Sequence, residues 1–296
     1  MAHYRSLAYA RFPKLPHFIA LARLNGPIGI YLLLWPTLWG LWFAAGGWPG
    51  WHLLLVFVLG TVLTRSAGCV MNDIADRDFD GRVKRTRNRP LAQGALTVEA
   101  AVVFMACLLF AALILVLTTN WMTVGIAVLA AIIAGVYPFM KRYTYLPQAI
   151  LGVAFSMGIP MAFAATSSSI PKLAWLLVIA NLLWTVAYDT AYAMVDRDDD
   201  LKLGIRSSAI LFGDMDKTMI AVLDALFVAV MILAGTVAES GIAYYAGLLV
   251  ASVLFVWHQV RITDRARDAC FAVFLGNHWV GFWVFAGVAL DFALGH

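Results

Sequence analysis

Four aspartates lie within eight residues of one another in the stretch GCVMNDIADRDFDGRVKRTRNRP: Asp73, Asp76, Asp78 and Asp80. A helix turns by about 100° per residue, so Asp73, Asp76 and Asp80 would share one face, with Asn72 at its flank. Asp78 would point elsewhere. Carboxylates this close repel one another unless a positive charge joins them. The spacing therefore indicates a site that needs a cationic partner.

A second acidic cluster follows the same helical spacing. Asp189, Asp196 and Asp200 would share a face, with Tyr192 close to it. Oxygen ligands without His or Cys favour hard cations, and Mg²⁺ combines one or two carboxylates with water and substrate phosphates. The two clusters thus predict a site for Mg²⁺ and a phosphate group. The alternative is a solvated loop whose acidic residues balance its arginines.

Long apolar segments must position these clusters. Of the 296 residues, 62% are hydrophobic and 13% are charged, against about 25% charged in soluble proteins. Runs of about 20 apolar residues suffice to cross a membrane, and in lipid they must be helical. We predict an all-α, polytopic membrane protein rather than a large soluble core. It would be a single domain, residues 1–296, with nine transmembrane helices bundled around a central cavity: 18–44, 52–72, 97–117, 121–138, 145–165, 173–193, 217–237, 241–260 and 272–293.

Basic residues predict the orientation of this bundle. If the N-terminus is cytoplasmic, 18 of the 21 Lys and Arg residues fall in cytoplasmic segments. Only Lys172 lies on the opposite side, and Arg23 and Arg65 lie within or at the edge of spans. This bias predicts a cytoplasmic N-terminus and a C-terminus outside. Residues 1–17 are basic and lack the pattern of a signal peptide, which predicts a segment lying on the cytoplasmic membrane surface.

Two further patterns concern metals and internal symmetry. The three cysteines are scattered and the six histidines lack ligand spacing, so neither disulfides nor zinc is indicated. The pentapeptides DRDFD and DRDDD stand 120 residues apart, each followed by a basic loop. This weak repeat predicts two four-helix halves and a ninth helix, with the acidic clusters face to face. Nothing indicates a nucleic-acid or protein partner.

Mg²⁺, a phosphate group and a cavity inside lipid together suggest a lipid diphosphate substrate. Mg²⁺ on a diphosphate stabilises the charge that develops as the C–O bond breaks. The allylic cation left behind needs a dry, aromatic-lined chamber. The spans supply aromatic residues, most densely in YLLLWPTLWGLWF, although most of these are expected to serve packing or the interfacial belt.

The motifs resemble those of the UbiA-type membrane prenyltransferases, in particular the branch that acts on 4-hydroxybenzoate in ubiquinone biosynthesis. The family motif NDxxDxxxD appears from Asn72 to Asp80, followed by NRPLAQG, and DxxxD appears as Asp196 to Asp200. The segments LARLNGPIGIYLLLWPTLWGLW and YDTAYAMVDRDDDLKLGIRSSAILFG also look like signatures of that branch. The resemblance covers roughly residues 20–290.

This resemblance implies roles for individual residues. Mg²⁺ and the polyprenyl diphosphate would be held by Asn72 and by the metal-ligating aspartates Asp73, Asp76, Asp80, Asp196 and Asp200. Lys141 and Arg142 match a basic pair that contacts the diphosphate. Arg65 matches an arginine that faces the carboxylate of the aromatic acceptor; the alternative is a resident aspartate partner. The remaining predicted substrate-binding residues are Arg23, Asn25 and Tyr192.

The implied reaction is an aromatic substitution in a cell inner membrane, with the active site facing the cytoplasm. The ring carbon ortho to the hydroxyl of 4-hydroxybenzoate attacks the allylic cation, and the ring then loses a proton. Asp189 or Asp196 would polarise the phenol or accept that proton. Other acceptors remain open: homogentisate, dihydroxynaphthoate, haem or chlorophyllide. A divalent-cation transporter is the alternative from another class, but it would place carboxylates near mid-span.

Overall fold

A computed structural model describes residues 12–81 and 86–295, with the side chain of residue 79 left out. The described chain is helical, and the predicted surface segment 1–17 falls mostly outside it. The helices are α1 (Leu15–Leu21), α2 (Ile28–Ala45), α3 (Gly50–Asp80), α4 (Val98–Leu117), α5 (Trp121–Met140), α6 (Pro147–Ser156), α7 (Gly158–Ser167), α8 (Lys172–Leu203), α9 (Ser208–Phe212), α10 (Asp216–Val237), α11 (Ile242–Arg261) and α12 (Arg267–Ala293).

The predicted membrane architecture is confirmed. Within the described ranges, nine helical segments are long and apolar enough to cross a membrane. The segments α4 and α5 are the least buried in the bundle, and α4 is also the most apolar, as expected for helices that face lipid. The segments α2 and α8 lie near the centre, where Trp39 and Trp184 pack with their ring centroids 5.5 Å apart.

The predicted first span, 18–44, is wrong at its beginning. The structure has the short helix α1, a break, and then α2 from Ile28. Arg23 adopts a left-handed backbone with φ of 57°, and Pro27 precedes the first residue of α2. A left-handed residue cannot continue a right-handed helix, and proline is favoured near a helix start. The break turns the Arg23 side chain toward the bundle.

The predicted fifth span, 145–165, is also not one continuous helix. It consists of α6 and α7, which meet at Met157. Pro160 lacks the N–H that would bond to the carbonyl of Ser156, so the helical ladder is interrupted there. Gly158 allows a close approach to α2, because a Cβ at this position would lie 2.4 Å from Thr37 Oγ1.

The helices α3 and α8 have 31 and 32 residues. Each is therefore about 45 Å long, whereas a hydrocarbon core is about 30 Å thick. Their C-terminal turns extend past the apolar layer and carry the two acidic motifs. Gly204, with φ of 68°, ends α8 in a left-handed cap.

At the opposite end of the bundle, a carboxylate of α12 caps the N-terminus of α11 and so joins these two helices. Asp291 of α12 accepts hydrogen bonds from the backbone N–H groups of Gly241 and Tyr244, at 2.8 and 3.3 Å. These groups begin α11 and have no partner within that helix. Deeper in the pair, a Cβ on Gly247 would lie 2.8 Å from Cα of Gly287, so the two helices need glycine where they cross.

Candidate active site

A cavity of about 810 Å³ runs through the bundle. One end, called here the polar end, is lined by charged and amide side chains: Arg23, Asn72, Asp73, Asp76 and Arg89. The rest, called the apolar body, is lined by aliphatic and aromatic residues from α3, α4, α5 and α6, among them Val56, Phe57, Leu113, Val116 and Val128. From Val56 to Asp73 the helix rises about 25 Å, so the lining of the cavity extends about that far along α3.

At the polar end, two arginines hold the first acidic motif. Asp73 is 1% exposed; its Oδ1 lies 2.7 Å from Arg23 Nη2 and 3.1 Å from Arg89 Nη1. Arg89 Nη1 also donates to Asp80, at 2.8 and 3.0 Å from the two carboxylate oxygens. The shared partner confirms that Asp73 and Asp80 lie on one face of α3.

Burial changes the acidity of the outermost of these carboxylates. Desolvation raises the pKa of Asp80, which lies beyond the membrane-spanning part of α3. The guanidinium of Arg89 opposes this rise through its charge and its hydrogen bonds. Asp80 is therefore a carboxylate whose charged form depends on a resident cation.

The loop after α5 joins the same end of the site. Lys141 Nζ lies 2.5 Å from Asp76 Oδ1, an ion pair without hydrogen-bond geometry. Arg142 Nη2 donates to the carbonyl of Ala75 at 3.1 Å. Arg206, between α8 and α9, donates from its backbone to the Lys141 carbonyl and from Nη1 to the Tyr143 carbonyl, at 3.1 and 2.7 Å. The two basic loops are thus fastened to each other and to α3.

Only part of the second acidic cluster lines the cavity. Asp189 and Tyr192 line it, and the Tyr192 ring stacks near Phe274 with centroids 4.4 Å apart. Asp196 and Asp200 do not line the cavity and continue α8 beyond it. Asp198 is 70% exposed and pairs with Arg267. Asn25 is exposed beside the cavity and is not part of its lining.

Arg65 places a positive charge inside the membrane-embedded part of the cavity, about 12 Å along α3 from Asp73. Its Nη1 contacts Cys69 Sγ at 2.9 Å and its guanidinium lies 5.5 Å from the Phe155 ring centroid. Its Nε is buried without a hydrogen-bond partner. The alternative considered from the sequence, a resident aspartate partner for Arg65, stays a prediction.

Comparison with known proteins identifies the family. Residues 33–286 match the UbiA prenyltransferase family. A 4-hydroxybenzoate octaprenyltransferase of Ectopseudomonas mendocina (strain ymp) is 55% identical over 282 residues, which cover 95% of each chain. The chain belongs to the UbiA prenyltransferase family.

Solved structures of UbiA homologs have the same fold. One from Aeropyrum pernix K1 gives a TM-score of 0.78 at 24% identity, covering 89% of this chain and 97% of that one. One from Archaeoglobus fulgidus, bound to GPP and Mg²⁺, gives 0.65 at 18% identity and covers 91% and 99%. The predicted fold class is confirmed, and a cation transporter is excluded by family membership.

The donor atoms at the polar end suit a divalent cation of the kind that prefers oxygen. Asp73 Oδ2 is buried and accepts no hydrogen bond, although its residue lines the cavity. In the part of the chain that the structure describes, no three acidic, His or Cys residues are grouped closely enough to hold a metal ion alone. Basic side chains instead hold Asp73, Asp76 and Asp80. Phosphate oxygens and water would therefore have to complete such a site.

The sequence analysis missed two contributors to this site. Arg89 was counted only among basic loop residues, yet it bridges two aspartates of the first motif. Its position in NRPLAQG, nine residues after Asp80, was the available signal. Gly29 was not singled out either; a Cβ there would lie 2.6 Å from Nε and Nη2 of Arg65. Only the packing of α2 against α3 reveals that contact.

Proposed function

We propose that this UbiA family member transfers a polyprenyl group from polyprenyl diphosphate to 4-hydroxybenzoate, at the ring carbon ortho to the hydroxyl, in ubiquinone biosynthesis. Relatives that share half of the residues along nearly the whole chain carry the name 4-hydroxybenzoate octaprenyltransferase. The observation that carries the proposal is Arg65: a cation inside the cavity, whose Nε is buried without a hydrogen-bond partner, between a charged end and an apolar body.

We propose that the polar end binds the diphosphate of the donor. Lys141, Arg142 and Asn72 would contact its oxygens, because ammonium and guanidinium groups form charge-assisted hydrogen bonds with phosphate. The loop contacts made by Arg206 keep the basic pair beside α3. The polyprenyl chain would then lie in the apolar body, where its burial from water is favourable.

We propose Mg²⁺ as the cofactor, held by the diphosphate and by a carboxylate set drawn from Asp73, Asp76, Asp80, Asp196 and Asp200. The unpartnered, buried Asp73 Oδ2 supports this assignment. When bound, Mg²⁺ would supply positive charge that stabilises the diphosphate as a leaving group. The family member from Archaeoglobus fulgidus, which binds GPP and Mg²⁺, supports the choice of metal.

The reaction breaks the C–O bond of the donor, with the electron pair going to the diphosphate. We propose that Arg65 binds the acceptor's carboxylate and thereby points its ring toward the polar end. The ring carbon forms the new C–C bond and the ring loses a proton. Of the two aspartates that the sequence left open, we assign the proton or phenol contact to Asp189, because Asp189 lines the cavity and Asp196 does not. Aromatic walls such as Tyr192 and Phe274 would exclude water.

We further propose that the chain lies in the inner membrane with a cytoplasmic N-terminus, a periplasmic C-terminus and the active site facing the cytoplasm. The excess of Lys and Arg in the predicted cytoplasmic segments supports this orientation. Both substrates would then enter from the side on which the polar end opens.

The deciding experiment supplies the purified protein with a polyprenyl diphosphate and radiolabelled 4-hydroxybenzoate, with Mg²⁺ or with EDTA. We expect label to enter the lipid phase only with Mg²⁺. Homogentisate and dihydroxynaphthoate serve as matched acceptors, and R65M as the variant that should lose transfer. Transfer to another acceptor in preference would contradict the assignment of 4-hydroxybenzoate, and transfer that survives EDTA would contradict the metal.

A further inference from the structure

The C-terminal turns of α3 carry buried negative charges that would be unfavourable without cationic partners. Asp73 and Asp80 are both buried, and the negative end of the helix dipole lies beside Asp80. Buried carboxylates of this kind require paired cations. Here the cations are two guanidinium groups, from Arg23 and Arg89, brought in from separate segments of the chain.

Both arginines are held in place by their own segments. Arg23 has a left-handed backbone, and its Nη1 donates to the Ala20 carbonyl at 2.8 Å while its Nη2 reaches Asp73. Arg89 belongs to a loop that closes back on α3, because Thr86 Oγ1 donates to the Asp80 carbonyl at 2.9 Å. A non-glycine residue in the left-handed region is strained, and such strain persists where tertiary contacts fix it.

These contacts occupy the oxygens that a metal would use. Asp73 Oδ1 contacts both guanidinium groups, both oxygens of Asp80 accept from Arg89, and only Oδ2 of Asp73 is left without a partner. A divalent cation that arrives alone finds one such oxygen on these two carboxylates. To bind a second, it must displace a guanidinium and leave it unpaired in a half-buried place. A diphosphate that arrives with the metal offers that guanidinium new oxygen acceptors.

We infer that Arg23 and Arg89 are exchangeable counter-cations: they neutralise Asp73 and Asp80 before substrate binds and transfer to the diphosphate when the metal arrives. The consequence is that tight metal binding depends on the diphosphate. This inference rests on the proposed function, because it requires that the polar end binds both ligands. It concerns the order and coupling of their binding, which the prenyl-transfer assay does not measure.

The test measures two binding constants on the full-length protein in detergent. Mn²⁺ alone is titrated by electron paramagnetic resonance, and radiolabelled inorganic diphosphate is titrated at saturating Mn²⁺. The variants are R89Q and R23Q. The matched control is R77Q, which removes the same charge from the same helix end, where Arg77 is half exposed and pairs only with exposed Asp78 among the described ion pairs.

We expect opposite changes for the two ligands. Loss of either guanidinium should tighten Mn²⁺ binding by about two- to fivefold, because the competing ion pair is gone. The same variants should bind diphosphate more weakly, whereas R77Q should match the wild type in both titrations. A purely structural role would weaken both ligands together. Two arginines from separate segments give two independent variants, so the test survives if one of them misfolds.

Three outcomes would overturn the inference. The first is Mn²⁺ affinity that is unchanged or lower in R89Q and R23Q while diphosphate still binds with metal, which leaves the proposed function intact. The second is an R77Q variant that tightens Mn²⁺ as much as R89Q does. The third is a wild-type protein that binds neither ligand, which would overturn the proposed metal and diphosphate site as well.

Discussion

At the scale of single residues, the proposed contact between Arg65 and the acceptor's carboxylate can be tested by kinetics. We predict that R65M raises KM for 4-hydroxybenzoate by about tenfold or more, because a charge-assisted hydrogen bond contributes about 1.5–3 kcal/mol. KM for the polyprenyl diphosphate should stay close to the wild-type value, since Arg65 lies deeper than the polar end. Steady-state kinetics with each substrate varied in turn checks this split. An equal rise in both KM values would contradict the assigned role.

Gly29 is the residue that makes room for that guanidinium. In G29A the new Cβ would lie 2.6 Å from Nε and Nη2 of Arg65, so the flexible end of the arginine must move. We predict a several-fold higher KM for 4-hydroxybenzoate and an almost unchanged Tm. The control is G125A, a glycine on α5 with no atom within 4 Å of its Cβ position. Wild-type kinetics in G29A would show that the arginine's exact place is unimportant.

At the scale of elements, the loops at the ends of α5 and α8 act as one unit through Arg206. Its Nη1 donates to the Tyr143 carbonyl at 2.7 Å, and its guanidinium lies 5.0 Å from the Tyr145 ring. R206A removes contacts that contribute about 1–2 kcal/mol. We predict faster hydrogen exchange in residues 141–146 and a higher KM for the donor alone. K202A, an exposed change at the end of α8, is the control and should leave both measurements unaltered.

The elements also show what sequence can and cannot predict. The nine spans follow from hydropathy, and the shared face of Asp73 and Asp80 follows from helical periodicity. The break at Arg23 has a local signal in Asn25, Gly26 and Pro27, which are turn residues. The break at Met157 is harder to predict, because an apolar run continues through it and Gly and Pro are common in membrane helices. The pairing of Arg89 with Asp73 also depends on tertiary structure, because the loop after α3 must return to that helix.

At the scale of the whole molecule, the charge distribution makes the orientation testable. Full-length chains fused at the C-terminus to alkaline phosphatase or to green fluorescent protein are expressed in a bacterial host. We predict an active phosphatase and a dark fluorescent protein, because the phosphatase folds only outside the cytoplasm. A fluorescent fusion would place the C-terminus inside and would reverse the proposed direction of the active site.

The ion pairs of the first aspartate motif have a consequence for how the protein matures. Asp73 and Asp80 are already neutralised by side chains of the same polypeptide, so we predict that the bundle assembles in the bilayer without the proposed magnesium. Chelation should then abolish turnover and leave the melting temperature unchanged, and adding magnesium back should restore the rate in full. A chelated protein that melts earlier would mean that the ion is a structural component, required from biogenesis onward.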